Sequence, residues 1–346
     1  MKNYLQNLIK INGAISVGQF MNEALFHPKF GYYNTQNPFG KNGDFITAPE
    51  ISQVFGELIA AYLIELWQTN YDSGKINLVE MGAGRGTLMK DFLQIAKKIP
   101  HFLKQVKISI VEISPKLQEI QKINLQGFDI GWHDNFTDFY KQNDRQPIFF
   151  IANELFDCFA IEQLVKTENG WLHRMVDIDQ NGELRFILNL PAATKRLPSN
   201  NTSQPINSVF EYSPQATAFM NELSIAIQKN KGIGLVIDYG YIENKFQNTL
   251  QAVKNHLYSN ILQNVGSVDI TALVDFSVLQ KIATKNNLQS SVVTQKEFLT
   301  TIGIEQRREK LLQEKNETKK YLINSSINRL IDEKQMGELF KELIIW

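Results

Sequence analysis

The chain is almost free of cysteine, with one residue, Cys158, in 346. A single thiol excludes an internal disulfide framework and any cysteine-rich zinc site, and it suits a reducing compartment. Neither sign of charge is in excess, because Lys plus Arg and Asp plus Glu both number 36. No net field draws the chain onto nucleic acid or an anionic membrane, so nucleic acid is not expected as a partner. Long apolar runs are missing too. Stretches such as "LIAAYLIELW" (58–67) fall well short of a bilayer span, and the start "MKNYLQNLIKING" lacks the apolar core and cleavage site of a signal peptide. Membrane insertion is not expected, and the predicted compartment is the cytoplasm. What remains is ordinary for a globular protein: 43% hydrophobic residues, enough to bury one large α/β core with insertions or two smaller ones.

Residues 1–70 read as two short helices, a loop rich in Gly, Pro and Asn from Phe30 to Pro49, and an amphipathic helix from about Ile51 to Thr69. That loop is long for a compact domain and carries too many aromatic and apolar residues for a solvated linker, so it is expected to pack over something. From Ile76 the pattern alternates: "INLVEM", a helix near 86–98, "VKISIVEI", a helix near 115–125, then "PIFFIANELFD". Near-continuous apolar strands joined by amphipathic helices predict a doubly wound, mostly parallel sheet covered on both faces. "EQLVKTENGWLHRMVDIDQNGELRFILNL" then shows short alternating strands broken by "ENG" and "QNG", an antiparallel meander. The polar stretch 194–205 is the candidate mobile loop, "GIGLVIDYG" resumes the parallel pattern, and 303–322 reads as one solvated helix. The expected organisation is residues 1–70 as a helical and loop cap over a core of 71–346, with insertions at about 160–230 and 242–330.

Within "NLVEMGAGRGTLMKDFL" (77–93), glycines at 82, 84 and 86 follow an apolar strand and precede a helical pattern, with Glu80 two residues before the first. Such a turn lets a ligand touch main chain without meeting a Cβ, which implies a nucleotide-like ligand. A nicotinamide fingerprint would need glycine or alanine three residues after Gly84, where Thr87 stands; an acid before GxGxG fits S-adenosylmethionine instead. That donor has no pyrophosphate to cradle, but its ammonium and sulfonium suit a carboxylate such as Glu80, and its own carboxylate suits the helix N-terminus after Gly86. Glu112 ends the next strand in "SIVEISP", where an acid can accept from both ribose hydroxyls; the alternative is that it caps the helix starting near Pro115. Asn153, Glu154 and Asp157 in "ANELFD" fall at the carboxyl edge of the sheet, where an acceptor would sit, or else form an acid-rich helix N-terminus. Asp238 in "VIDYGY" has the same two readings, with a strand-end cap as the structural one.

The stretches "NPFGKNGDFITAPEISQVFGEL", "EMGAGRGTLMKDFL", "VEISPKLQEIQ", "IANELFDCFAIEQLV", "GLVIDYGY" and "VDITALVDFSVL" resemble the MidA and mitochondrial complex I assembly factor 7 family of S-adenosylmethionine-dependent methyltransferases, across nearly the whole chain. The resemblance implies a class I methyltransferase fold: α/β, doubly wound, with a mostly parallel seven-stranded Rossmann-like sheet, an N-terminal helical and loop cap and an antiparallel insertion. It implies S-adenosyl-L-methionine as cofactor, without a metal, held by Glu80, Gly82, Ala83, Gly84, Gly86, Thr87, Glu112, Ile113 and Asn153. For the mitochondrial member it implies symmetric dimethylation of an arginine in a complex I subunit, and hence a protein substrate. Three positions depart from the family's wording: Asn37 for an aspartate, Ala160 for a proline and Leu273 for a histidine.

Methyl transfer is an in-line displacement, so alignment of donor and acceptor carries much of the catalysis. A guanidinium is protonated at working pH and offers a planar fork that carboxylates hold in bidentate fashion. Of the acids at the inferred mouth, Asp44, Glu50, Glu154, Asp157 and Asp238, the catalytic roles are assigned to Glu154 and Asp157, with Asp44 from a lid loop. A methyltransferase for a small molecule or another protein side chain, and a donor-binding assembly factor with secondary catalysis, stay open. So does the oligomeric state, a homodimer being the form considered.

Overall fold

A computed structural model describes residues 1–36, 46–192, 197–243, 246–254, 257–313 and 315–346. The chain forms two compact units that interleave in sequence: one of Ile46–Leu155, Asn221–Gly240 and Gln280–Trp346, the other of Met1–Phe45, Phe156–Met220 and Tyr241–Leu279.

The first unit is built on seven strands: β1 Ile76–Met81, β2 Val106–Val111, β3 Ile130–His133, β4 Ile148–Asn153, β5 Ile233–Tyr241, β6 Ser290–Thr294 and β7 Phe340–Ile345. Their spatial order is β3-β2-β1-β4-β5-β7-β6. β1 to β5 pair in parallel, while β7 runs antiparallel to both β5 and β6. All six residues of β4 and the first five of β1 are buried, as a sheet covered on both faces requires. Three helices position the site: α1 Gln53–Asn70, α2 Thr87–Ala96 and α3 Pro115–Asn124. Phe55, Ile59, Leu63 and Trp67 of α1 and Leu88, Met89 and Phe92 of α2 share one core with Leu78, Ile110, Phe149 and Ile151 of the sheet. α1 meets α2 closely at Gly56, where an added Cβ would lie 2.7 Å from the Asp91 Cβ.

Register fixes which side chains share a face. Glu80 pairs with Ile110 and Ile151, and Asn153, two residues beyond Ile151, pairs with Ile237. Opposed residues point the same way and the side-chain period is two, so Glu80 and Asn153 project from the same face.

The stretch 303–322 is not one helix. Helices Ile304–Leu312 and Glu317–Ile331 replace it, because Asn316 accepts from the Lys319 amide at 2.9 Å and caps a new start. Nor is it wholly solvated: Ile304 enters the core and Leu311 packs against it.

The second unit carries the expected antiparallel meander, with Glu162–Thr167, Gly170–Ile178 and Leu184–Pro191 pairing in succession and Ile15–Ser16 and Val209–Tyr212 adding to it. Leu164, Trp171, Leu197 and Phe210 form its own apolar cluster. Within it, buried Glu211 accepts from the backbone amides of Thr249 and Leu250 at 3.0 and 3.3 Å, tying that loop to the meander. Gln251–Lys254, Leu257–Ser259 and Asp269–Thr271 make a small separate sheet. Part of the stretch expected to be mobile, 194–196, lies outside the described residues; Ser199–Ser203 forms a 3-10 turn.

Candidate functional site

The turn between β1 and α2 is built by three left-handed glycines, with φ of +71° at Gly82, +52° at Gly84 and +78° at Gly86. That backbone region is costly for side chains with a Cβ, which explains the spacing read from the sequence. The turn also leaves little room: a Cβ at Gly82 would lie 2.9 Å from Leu155 Cδ1, and one at Gly86 would lie 3.2 Å from Leu125 Cδ1. The Gly82 amide donates to the Val111 carbonyl at 3.0 Å and the Gly86 amide to the Ala83 carbonyl at 2.7 Å, which curls the chain over the end of the sheet. Gly86 then caps α2, so Thr87 opens the helix. First-turn amides there present the partial positive charge that favours an anion.

Glu80, under this turn, is 2% exposed, and its Oε2 is buried without a hydrogen-bond partner. Burial pushes its pKa up to about 8, opposed by the Met89 backbone amide and reinforced by nearby Glu112. A desolvated carboxyl of this kind is stabilised as an anion by a cation placed against it.

Glu112 lies just past the end of β2 and is 7% exposed. Its Oε1 accepts from the Ser114 amide at 2.9 Å and its Oε2 from Gln121 Nε2 at 3.2 Å. Burial raises its pKa, and the Ser114 amide, the Gln121 side chain and the Ile113 amide hold it down. The alternative role as helix cap belongs to another residue, since Ser114 is the N-cap of α3 and its hydroxyl accepts from the Leu117 amide. Ile113, beside Glu112, stands 69% exposed, an apolar surface next to a buried acid.

At the end of β4, Asn153 Nδ2 donates to Glu154 Oε1 at 3.2 Å, while Asn153 Oδ1 is buried without a hydrogen-bond partner. Glu154 sits at φ +52°, its amide donating to the Ile237 carbonyl at 2.9 Å and its Oε1 accepting from the Ala48 amide at 3.2 Å. The segment is a turn, so the helix N-terminus alternative for these acids does not apply. Asp238, within β5 rather than at its end, is fully buried and accepts from the amides of Leu155 at 3.1 Å and Tyr239 at 2.9 Å, a structural role inside the strand.

Glu80, Gly82, Ala83, Gly84, Gly86, Thr87, Glu112, Ile113, Asn153 and Glu154 all belong to the sheet unit. Asp157 belongs to the other unit, where it is 7% exposed and its carbonyl accepts from the Ala272 amide at 3.0 Å. There, burial and the charges of Asp269, Cys158 and Asp157 hold the Tyr33 phenol well above its ordinary pKa. Asp44, and the "GKNGDF" part of the lid proposed from the sequence, lie outside the described residues. Leu273, at the family's histidine position, donates through its amide to Thr249 Oγ1 at 3.0 Å.

The sequence reading missed Gln121. The signal was there: Leu117, Gln121 and Leu125 are spaced four apart, and all three are buried, so an amide occupies a core-facing position.

A sheet in the order β3-β2-β1-β4-β5-β7-β6, with a glycine turn after its first strand and an acid ending its second, defines a class I methyltransferase. The chain belongs to the family described as "Putative S-adenosyl-L-methionine-dependent methyltransferase", whose model matches residues 58–294. It is 35% identical to "Protein arginine methyltransferase NDUFAF7, mitochondrial" of Danio rerio, over 98% of this chain and 85% of that one. With the Homo sapiens protein of the same name it shares 34% identity, over 98% and 82%. In structure it is similar to a COG1565 superfamily member from Burkholderia thailandensis bound to S-adenosyl-homocysteine, with a TM-score of 0.84, 24% identity and coverage of 99% of this chain and 91% of that one. S-adenosylmethionine is therefore the cofactor, and the buried Glu80 oxygen and the glycine turn fit a cationic nucleoside of that kind.

One expectation is overturned. The relatives are named mitochondrial, which points away from the cytoplasm. A single cysteine excludes a disulfide framework but cannot separate one reducing compartment from another. Among the described residues no helix is long and apolar enough to cross a membrane.

Proposed function

We propose that this methyltransferase modifies an arginine of a protein substrate. The observation that carries the reading is the buried, half-satisfied carboxyl of Glu80 beneath a glycine turn, in a chain whose relatives are named protein arginine methyltransferases. In this reading Gly82, Ala83, Gly84 and Gly86 allow close main-chain approach, Thr87 opens the helix end that takes the donor's carboxylate, and Glu80 attends its cationic end. Glu112 accepts from the ribose hydroxyls, Ile113 lays an apolar face on the base, and Asn153 offers its unpartnered Oδ1. When bound, S-adenosylmethionine supplies a methyl group on a cationic sulfur.

The protein's task is then alignment and exclusion of water. Glu154, whose Oε1 accepts from the Ala48 amide and Asn153 Nδ2, is pre-organised to grip a guanidinium, which stays protonated at working pH. The acceptor roles of Asp157 and Asp44 rest on the sequence alone, as does a lid in residues 1–70. Symmetric dimethylation and a complex I subunit as acceptor are the finer forms of the proposal, supported by the family resemblance.

The test is incubation of the purified protein with methyl-labelled donor and host extract, followed by mass spectrometry of the labelled protein. Label on an arginine nitrogen supports the proposal. Label only on small molecules, or on another side chain, favours the broader methyltransferase readings.

A further inference from the structure

Gln121 has no exposed surface, and its amide makes three contacts. Nε2 donates to the Gly84 carbonyl at 2.9 Å and to Glu112 Oε2 at 3.2 Å, and Oε1 accepts from Trp132 Nε1 at 3.2 Å. These partners fix which end of the amide is which, because a carbonyl and a carboxylate accept while an indole N–H can only donate. Three residues further along α3, Asn124 Nδ2 donates to the Arg85 carbonyl at 2.8 Å. One face of α3 thus holds two successive carbonyls of the glycine turn, and one of its side chains also holds the acid that ends β2.

We propose that Gln121 is a positioning residue for the methyl donor, locking the glycine turn to Glu112 so that the amino-acid end and the ribose end of the donor meet a pre-set site. The inference rests on the reading above that the turn and Glu112 hold the donor. Both attachments are needed. The Gly84 contact orients the middle peptide of the turn, at the point where main chain must approach the ligand. The Glu112 contact places one carboxylate oxygen and favours its ionised form, against the burial that disfavours it. Trp132, on β3, keeps the amide from rotating, so a third strand contributes to a site formed by the first two. A residue that merely filled space at this core position would need no polar end, and the flanking Leu117 and Leu125 show what such a residue looks like.

The sign of the effect follows from the charge. Without the Gln121 contact the Glu112 carboxyl rises further, so at a given pH less of it is ionised to accept from the ribose. Donor affinity falls most below that raised pKa and recovers above it. The experiment is calorimetric titration of the full chain with S-adenosylhomocysteine, for wild type and Gln121→Leu, between about pH 6.5 and 8.5. The readout is the ratio of the two dissociation constants, in which titration of the ligand itself cancels. The ratio is expected to be roughly tenfold or more at the acid end, within the range for a lost hydrogen bond to a charged group, and to shrink toward the alkaline end as the Glu112 carboxyl ionises. A ratio that stays constant with pH assigns Gln121 to packing, and affinity within about twofold of wild type throughout, below what a lost hydrogen bond to a charge gives, refutes the proposal.

Trp132→Phe, which removes only the donor that fixes the amide, should show a smaller change of the same form. It decides the matter if Gln121→Leu does not fold, and an unchanged, pH-independent affinity in that variant counts against the inference. Glu112→Gln and Gly84→Val separate the two levels. If both bind as wild type, the donor-site reading fails and this inference with it. If they lose the ligand while Gln121→Leu and Trp132→Phe do not, the site stands and only the role of Gln121 is refuted.

Discussion

Replacing Glu80 by Gln should turn a pH-dependent donor affinity into a flatter one. The Glu80 carboxyl is pushed up to about 8 by burial, so in the empty site it is largely neutral at pH 7. A cationic ligand beside it favours the anion, and binding must then expel the proton. For a pKa near 8, roughly nine in ten carboxyls are protonated at pH 7, so close to one proton should be released per donor bound. Below that pKa the affinity should drop toward tenfold per pH unit, or about 25-fold between pH 7.5 and 6. The donor's own α-amino group titrates at about 7.7–8.0, which sets the upper limit of the comparison and makes the Gln variant the baseline. Calorimetry in two buffers of different ionisation enthalpy counts the proton directly.

Stability moves the other way. A carboxyl whose folded pKa is raised favours the fold fully below its unfolded value of about 4.5 and loses that contribution as pH rises through about 8. Glu80→Gln should therefore gain melting temperature over wild type at alkaline pH while binding donor more weakly. A wild-type affinity that does not change between pH 6 and 7.5, with no proton released, would refute this account of Glu80.

Gly84→Val should abolish donor binding in a protein that still folds, because a β-branched residue resists the left-handed backbone and fills the space at the turn; titration at near-wild-type affinity would remove the turn from the site. Glu112→Ala should weaken the donor by about 1–3 kcal/mol, the range for a lost hydrogen bond to a charged group, and unchanged affinity would leave Glu112 a local structural role only. Asp238→Ala should lower unfolding free energy by about 3 kcal/mol in denaturant melts, since two backbone amides lose their buried acceptor; a change under about 1 kcal/mol would contradict this structural role. From the sequence alone, Asp44→Asn should lose turnover with donor affinity and melting temperature nearly unchanged, and a variant that methylates normally would end its acceptor role.

The parts of this protein that were legible in the sequence are those written in short, local patterns. β1, the glycine turn and α2 follow one another within about twenty residues, and each glycine stands where left-handed backbone demands it. The acid ending β2 and the meander turns are equally local. The illegible parts depend on partners far away in the chain. β7 inserts between β5 and β6, an arrangement set by pairings across the sheet that no local period encodes. The interleaving of two units, with Glu154 in one and Asp157 three residues later in the other, is invisible to a reading that walks along the chain. The spacing of Gln121 marks it as core-facing, but its three partners come from the turn, β3 and the residue just after β2, which a reading along the chain does not bring together.

The most direct test of the account is a crystal structure of this chain with S-adenosylhomocysteine bound. The account predicts the ligand's amino-acid end against the turn Gly82–Gly86 above Glu80 and its ribose hydroxyls on Glu112. Ligand held elsewhere, or by other residues with Glu112 still occupied only by Ser114 and Gln121, would contradict it.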